Sequence, residues 1–124
     1  MEIREDCQYT RDHEWIRQEG DISVVGITDY AQDQLGEVVY VELPTVGSVL
    51  KPGEPFGVVE STKSVSDLYA PIAGEVVEVN VMLVDAPEQV NTAPFEDGWM
   101  VKIRTTTASE DLLTAGQYRE HVGG

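Results

Sequence analysis

The residue whose type and setting could support chemistry is Lys63, in the polar segment ESTKSVS at positions 60–66. The small hydroxylic side chains around it are typical of turns and of solvent-exposed positions. A modifying enzyme must take a lysine into its own active site, so a protruding turn suits covalent attachment. The long flexible stem of lysine would also let an attached group reach several partners. We therefore predict that Lys63 carries a covalent group; the alternative is an ordinary solubilising charge.

An independent catalytic site is not predicted. A Schiff-base or general-base lysine needs burial or neighbouring cations to lower its pKa. Lys63 has neither in its sequence context, and Glu60 and Asp67 would favour its charged form. The nearby serines would need a positioned base, and the chain has only two histidines. No glycine-rich phosphate-binding loop of the Rossmann or P-loop type occurs.

Composition excludes several classes of function. Twenty-three acidic residues against eight basic ones give a net charge of −15, which repels nucleic acid and anionic lipid. One cysteine and two histidines exclude a disulfide framework and a metal site built from those residues. No apolar stretch approaches the ~20 residues that a membrane span requires, and the N-terminus has no signal-like apolar region. We expect a cytoplasmic protein, and self-repulsion favours a monomer.

The elements that would position Lys63 are mainly strands. Predicted strands cover residues 22–27, 38–43, 56–60, 75–79 and 99–103, and residues 84–98 are predicted to form a long loop. Residues 28–35 are predicted to form a short helix, with Thr28 as its N-cap and Gly36 as its left-handed stop. Near the C-terminus, Thr114 and Gln117 have the spacing of a capping box.

An internal repeat suggests how these strands are organised. The tetrapeptide GEVV occurs at 36–39 and again at 74–77, and each copy is followed by Pro-Phe, at 55–56 and at 94–95. Two related β halves predict a small flattened barrel with pseudo-twofold symmetry. Lys63 then lies between the two halves, where a link between adjacent strands would be a tight, exposed hairpin.

The residues that carry a family resemblance are spread along most of the chain, over roughly residues 8–104. They include YTRDHEW (9–15), VGITDYAQ (25–32), LGEVV (35–39), GVVES (57–61) with Lys63, and GEVVEVN (74–80). In these segments the chain resembles the H protein of the glycine cleavage system. Thr62 and Ser64 depart from the commoner family pattern beside the lysine, and the tail after Thr105 matches loosely.

The resemblance implies a mainly β, lipoyl-type barrel-sandwich hybrid with added helices. It implies one carrier domain over residues 1–124, with a β core at about 8–104 and C-terminal helices at about 107–122. It also implies that Lys63 bears lipoic acid as N6-lipoyllysine. By position and acidity, Glu14 and Asp67 are candidates for a cleft that shelters the loaded arm; the alternative for both is an ordinary solvated charge. His13, Trp15 and Trp99 are interpreted as packing residues.

The implied role is that of a carrier and co-substrate, not a catalyst. The arm would receive an aminomethyl group from a pyridoxal-phosphate glycine decarboxylase and pass it to a tetrahydrofolate-dependent aminomethyltransferase. A dihydrolipoyl dehydrogenase would reoxidise the dithiol, and a lipoate-attaching ligase or transferase would load Lys63.

Other carrier roles stay open at this point. A relay protein that donates lipoyl groups to other lipoyl domains has the same features. A biotinyl carrier uses the same barrel, but biotin acceptors typically place Met on both sides of the lysine, where this chain has Thr62 and Ser64. The lipoyl domain of a 2-oxoacid dehydrogenase typically has Asp before the lysine and a flexible linker, and neither is present here.

Overall fold

The computed structural model describes residues 1–107 and 112–123. Its strands are β1 (Gln8–Tyr9), β2 (Glu14–Glu19), β3 (Ile22–Ile27), β4 (Val38–Glu42), β5 (Val49–Leu50), β6 (Pro55–Ser61), β7 (Val65–Tyr69), β8 (Ala73–Val79) and β9 (Val101–Thr107). Its helices are α1 (Asp29–Leu35), α2 (Met82–Asp85), α3 (Gln89–Thr92) and α4 (Ala115–His121).

The strands form two antiparallel sheets. The larger has the order β1-β2-β3-β9-β8-β5, and the smaller has the order β4-β6-β7. One core cluster takes side chains from both sheets, among them Val25 and Val76 from the larger and Val59 from the smaller, each fully buried. The sheets therefore pack face to face, as in a barrel-sandwich hybrid, and the predicted fold class is confirmed.

A second core cluster fixes the C-terminal helix on the larger sheet. Tyr118 of α4 is fully buried and stacks on Tyr9 of β1, with ring centroids 4.6 Å apart. Trp15 is also fully buried in this cluster and donates through Nε1 to the carbonyl of Pro94. Cys7 belongs to the same cluster, where burial raises the pKa of its thiol to about 12, so it is a packing residue.

Helix α1 forms as predicted from its ends. The Thr28 hydroxyl accepts from the backbone N–H of Ala31 at 3.1 Å, which satisfies one free donor of the first turn. Gly36 ends the helix at φ +84° and returns its N–H to the carbonyl of Gln32. The predicted capping box of α4 is present as well, between Thr114 and Gln117.

Other expectations were wrong in detail. The predicted loop at 84–98 contains the one-turn helix α3, and α2 overlaps its start, because short i to i+4 turns carry no apolar periodicity. Strand β9 begins at Val101 and runs to Thr107, past the expected end of the β core. In the described part of the tail there is one helix, α4; residues 108–111 of the predicted helical tail lie outside the described residues. Strands β1, β2, β5 and β7 were not predicted.

The two copies of the repeat lie in different sheets. The first copy leads into β4, which pairs with β6, and the second leads into β8, which pairs with β9. Both pairs are antiparallel and both contain a register shift. Each repeat thus supplies a strand pair to one sheet, and the hairpin between β6 and β7 leads from the first copy toward the second.

Candidate functional site

Lys63 lies at the tip of the hairpin that joins β6 to β7. The last ladder pair is Glu60 with Val65, and the N–H of Ser61 donates to the carbonyl of Ser64 at 2.8 Å. The turn contains no glycine and no residue with positive φ, which tight two-residue hairpins usually need. The predicted tight, exposed hairpin is therefore present, but its turn must be stabilised in another way.

The side chain of Ser61 stabilises this turn. Its hydroxyl oxygen accepts from the backbone N–H groups of Ser64 at 3.1 Å and Lys63 at 3.3 Å, and the hydroxyl donates to the carbonyl of Ser64 at 3.2 Å. Ser61 is 7% exposed, so these bonds are largely shielded from water. The N–H of Thr62 donates to the carbonyl of Glu37 at 3.0 Å and ties the turn to the segment before β4.

The side chain of Lys63 is exposed and its stem lies over the end of α1. A Cβ placed on Gly36 would come within 3.2 Å of Lys63 Cε and 3.8 Å of Nζ. Glycine therefore serves two purposes at position 36: it adopts the positive φ that ends the helix, and it leaves room for the lysine stem.

A cleft of about 370 Å³ opens beside the hairpin, between β7, α1 and the start of β2. Its lining comprises Asp12, His13, Glu14, Ile27, Tyr30, Ala31, Gln34, Leu35, Ser64, Ser66, Asp67 and Leu68. One part is apolar, from Ile27, Leu35 and Leu68, and another carries three carboxyl groups. A site of this size falls within the range of small-ligand pockets. Its composition suits a ligand with an alkyl stem and a cationic end.

Glu14 is the most unusual group in this cleft, because it is an acid that is only 3% exposed. Its Oε1 accepts from the Thr10 hydroxyl at 2.6 Å, and the Thr10 oxygen accepts from the Glu14 N–H at 3.1 Å. Burial raises the pKa of the Glu14 carboxyl from 4.5 to about 7, against the opposing effect of the Thr10 hydrogen bond. Nearby Asp12 raises this pKa further.

The structure brings both acidic candidates of the sequence to the same cleft. The alternative of a solvated surface charge is wrong for Glu14, whereas Asp67 is exposed on β7. Ser64, adjacent to Lys63, lines the cleft as well, so the cleft begins at the base of the lysine arm. A larger cleft of about 580 Å³ shares Asp12 and Glu14 but is lined by no residue of the turn at 61–64, so it is the less suitable site for the Lys63 side chain.

Sequence reasoning missed several residues of the site. His13, interpreted as a packing residue, is half-buried and lines the cleft at φ +71°, while Trp15 is a packing residue as predicted. Asp12 and Tyr30 also line the cleft. The signal that was available is the segment RDH at 11–13, where three polar residues precede the strand β2 and form a turn. Within residues 1–107 and 112–123, no cluster of three or more His, Cys, Asp or Glu could hold a metal ion. No helix in the described ranges is long and apolar enough to cross a membrane.

Comparison with known proteins gives one consistent result. Residues 7–123 match the family model described as "Glycine cleavage H-protein". The chain is 58% identical over 124 residues to a glycine cleavage system H protein of Anaeromyxobacter sp., covering 98% of this chain and 97% of that protein. It is 51% identical over 126 aligned positions to the one of Bacteroides thetaiotaomicron, with full coverage of both. The crystal structure of a glycine cleavage system H protein from Mycobacterium marinum superposes with a TM-score of 0.93 at 45% identity, covering 98% of this chain and all of that one.

Proposed function

The chain belongs to the glycine cleavage H-protein family and has the H-protein role, and on this premise we propose that lipoic acid is attached to Lys63 and shelters beside Glu14 and Asp67. The observation that supports the proposal most directly is the position of Lys63, on an exposed hairpin at the mouth of the mixed apolar and acidic cleft. Acylation would remove one ammonium charge and take the net charge from −15 to −16.

The residues of the hairpin and cleft fit such a group. The Ser61 hydroxyl holds the turn in one shape, so the lysine is presented to an attaching enzyme without an ordering cost. When attached, the dithiolane ring supplies a disulfide that can accept the aminomethyl group derived from glycine and later return electrons. The apolar wall of Ile27, Leu35 and Leu68 would cover an alkyl arm and keep water from it.

The acidic wall would hold a cationic amine. Asp67 offers an exposed carboxylate beside the hairpin, while Glu14 is buried behind it. A cation near Glu14 favours the ionised carboxyl, so the arrival of an amine would displace the proton from Glu14. Because the pKa of the Glu14 carboxyl is about 7 when no cation lies beside it, this exchange would occur close to neutral pH.

The partners proposed are those of the glycine cleavage reaction: the pyridoxal-phosphate glycine decarboxylase, the tetrahydrofolate-dependent aminomethyltransferase and the dihydrolipoyl dehydrogenase. A lipoate-attaching ligase or transferase would load the lysine. The strongly acidic surface would steer this chain toward basic docking faces on these enzymes. In this scheme the chain is a covalent carrier, and the catalytic groups belong to its partners. A cytoplasmic location and a monomeric state stay predictions from the sequence.

The test is mass spectrometry of the folded protein after incubation with lipoate, ATP and a lipoate–protein ligase. We expect one lipoyl increment, mapped to Lys63 and abolished by Lys63→Arg. Lys51→Arg is the matched control, because Lys51 is also exposed on a turn between strands but lies outside the hairpin. Attachment at Lys51, or biotin attachment at Lys63 by a biotin ligase, would show that the proposed site or the proposed cofactor is wrong.

A further inference from the structure

The hydroxyl of Tyr118 connects the C-terminal helix to the wall of the cleft. It lies 2.9 Å from Nδ1 of His13 and 2.7 Å from Oγ1 of Thr28. Thr28 caps α1, and its backbone N–H donates to the carbonyl of His13 at 3.0 Å. Tyr118 is fully buried and Thr28 is 1% exposed, so water does not compete for these bonds.

The hydroxyl protons of Thr28 and Tyr118 each need an acceptor, and this requirement sets the direction of the hydrogen bonds. The Thr28 oxygen already accepts the N–H of Ala31. If His13 Nδ1 carried a proton and donated to Tyr118, then Tyr118 would donate to Thr28, and the Thr28 proton would have no acceptor among the described residues. In the opposite direction Thr28 donates to Tyr118 and Tyr118 donates to Nδ1, so every hydroxyl proton is used. A buried hydroxyl left without an acceptor is costly, which favours the second arrangement.

From this count of hydrogen-bond donors and acceptors we propose that Tyr118 is a positioning residue for His13. It holds the imidazole on the cleft wall as the neutral tautomer that is protonated on Nε2. An imidazole held in this form adds no positive charge to a cleft whose proposed ligand is a cationic amine. This purpose rests on the proposed function, whereas the tautomer itself does not.

The other groups around His13 are compatible with a neutral ring. On α4, His121 stacks on it with centroids 5.5 Å apart, and on α1, Tyr30 lies 4.7 Å away. Burial lowers the pKa of His13 below its usual value and His121 lowers it further, while Asp12 on its own segment opposes them. Glu14, the next residue, and Asp67 on β7 are the remaining acids of the cleft. Burial also raises the pKa of Tyr118 to about 12, so its hydroxyl stays a donor at neutral pH.

The backbone of His13 is fixed as well as its ring. His13 has φ +71°, a conformation that residues other than glycine rarely adopt. The bond from the Thr28 N–H to the His13 carbonyl fixes the backbone, and the bond from Tyr118 fixes the ring. The C-terminal helix thereby fixes the orientation of the His13 ring in the cleft wall, although Tyr118 itself does not line the cleft.

The experiment is nitrogen-15 NMR of the histidine rings of the unmodified protein, which distinguishes the two neutral tautomers. We expect the wild type to show His13 protonated at Nε2 and unprotonated at Nδ1 at pH 7.5. In Tyr118→Phe, Nδ1 loses its donor, so the tautomers should mix and the pKa of His13 should rise. Tyr9→Phe is the matched control: Tyr9 is equally buried and stacks on Tyr118, but among the described residues its hydroxyl bonds to Arg4 alone.

Two NMR results would overturn the proposal. A wild-type His13 protonated at Nδ1 overturns the proposal even if Tyr118→Phe fails to fold. So does a His13 spectrum that is the same in wild type and Tyr118→Phe. If the protein is then lipoylated and loaded, ammonia release should be roughly two- to ten-fold faster in Tyr118→Phe at neutral pH, and unchanged in Tyr9→Phe. Failure of Lys63 to accept lipoate would refute the proposed function and leave the tautomer result standing.

Discussion

Replacing Glu14 by glutamine tests how much the buried, ionisable carboxyl group lowers the stability of the protein. Glu14 is 3% exposed, and its Oε1 accepts from the Thr10 hydroxyl. Glutamine keeps this acceptor and nearly the same shape, but it is neutral at every pH. Since the carboxyl of Glu14 must lose a proton in a buried site as the pH rises, the substitution should stabilise the protein, and by more at higher pH.

The size of the effect follows from the pKa of Glu14, which is 4.5 for the free side chain and about 7 in the folded protein. Between pH 4.5 and about pH 7 the folded state binds more protons than the unfolded state. The free energy of unfolding therefore falls as pH rises through this range and levels off above it. The full pKa difference between the folded and unfolded states corresponds to about 3 kcal/mol of unfolding free energy. At pH 5.5 less than half of this difference has developed, so Glu14→Gln should gain roughly 2 kcal/mol on wild type between pH 5.5 and pH 8.5.

The assay is urea denaturation of both proteins at these two pH values, with Asp67→Asn as the control. Asp67→Asn removes the same charge from an exposed position, so its stability should stay within about 0.5 kcal/mol of wild type at both. In the loaded carrier, Glu14→Gln should release ammonia faster, because the buried counter-charge is gone. If the advantage of Glu14→Gln were independent of pH, or if the variant were less stable at pH 8.5, the buried carboxyl would not be titrating as described.

Three further substitutions test the elements that position the site. Ser61→Ala removes the acceptor of two backbone N–H groups in the hairpin, so it should cost about 1 kcal/mol, speed amide exchange there and slow lipoate attachment; unchanged exchange would contradict this. Gly57→Ala places a Cβ in steric conflict with the carbonyl oxygen of Glu42, so denaturation should show a loss of at least about 2 kcal/mol through disrupted β4–β6 pairing. Thr114→Ala breaks the capping box of α4 and should cost about 1 kcal/mol in thermal denaturation; a wild-type midpoint would argue against the cap.

Local chemistry made several elements predictable. Thr28 and Gly36 mark the two ends of α1, because a side-chain acceptor and a positive φ are requirements of the helix ends themselves. Runs of β-branched and other apolar residues marked β3, β4 and most of β6 and β8. Strand β7 was missed because all its residues except Leu68 are exposed, so it carries no apolar alternation and exists by pairing with β6.

By itself the sequence determined the β class and the family and nominated Lys63 as the attachment lysine, because these depend on residue types at short spacings along the chain. It nominated Glu14 and Asp67, but it did not determine that one would be buried and the other exposed. Only the tertiary structure decided that, since burial depends on segments far apart in the chain: β2, β7 and α1 meet at the cleft. The same holds for His13 and Tyr118, which are 105 residues apart and meet through the packing of α4 on the larger sheet. A pKa or a tautomer is set by such neighbours in space, and no local pattern encodes them.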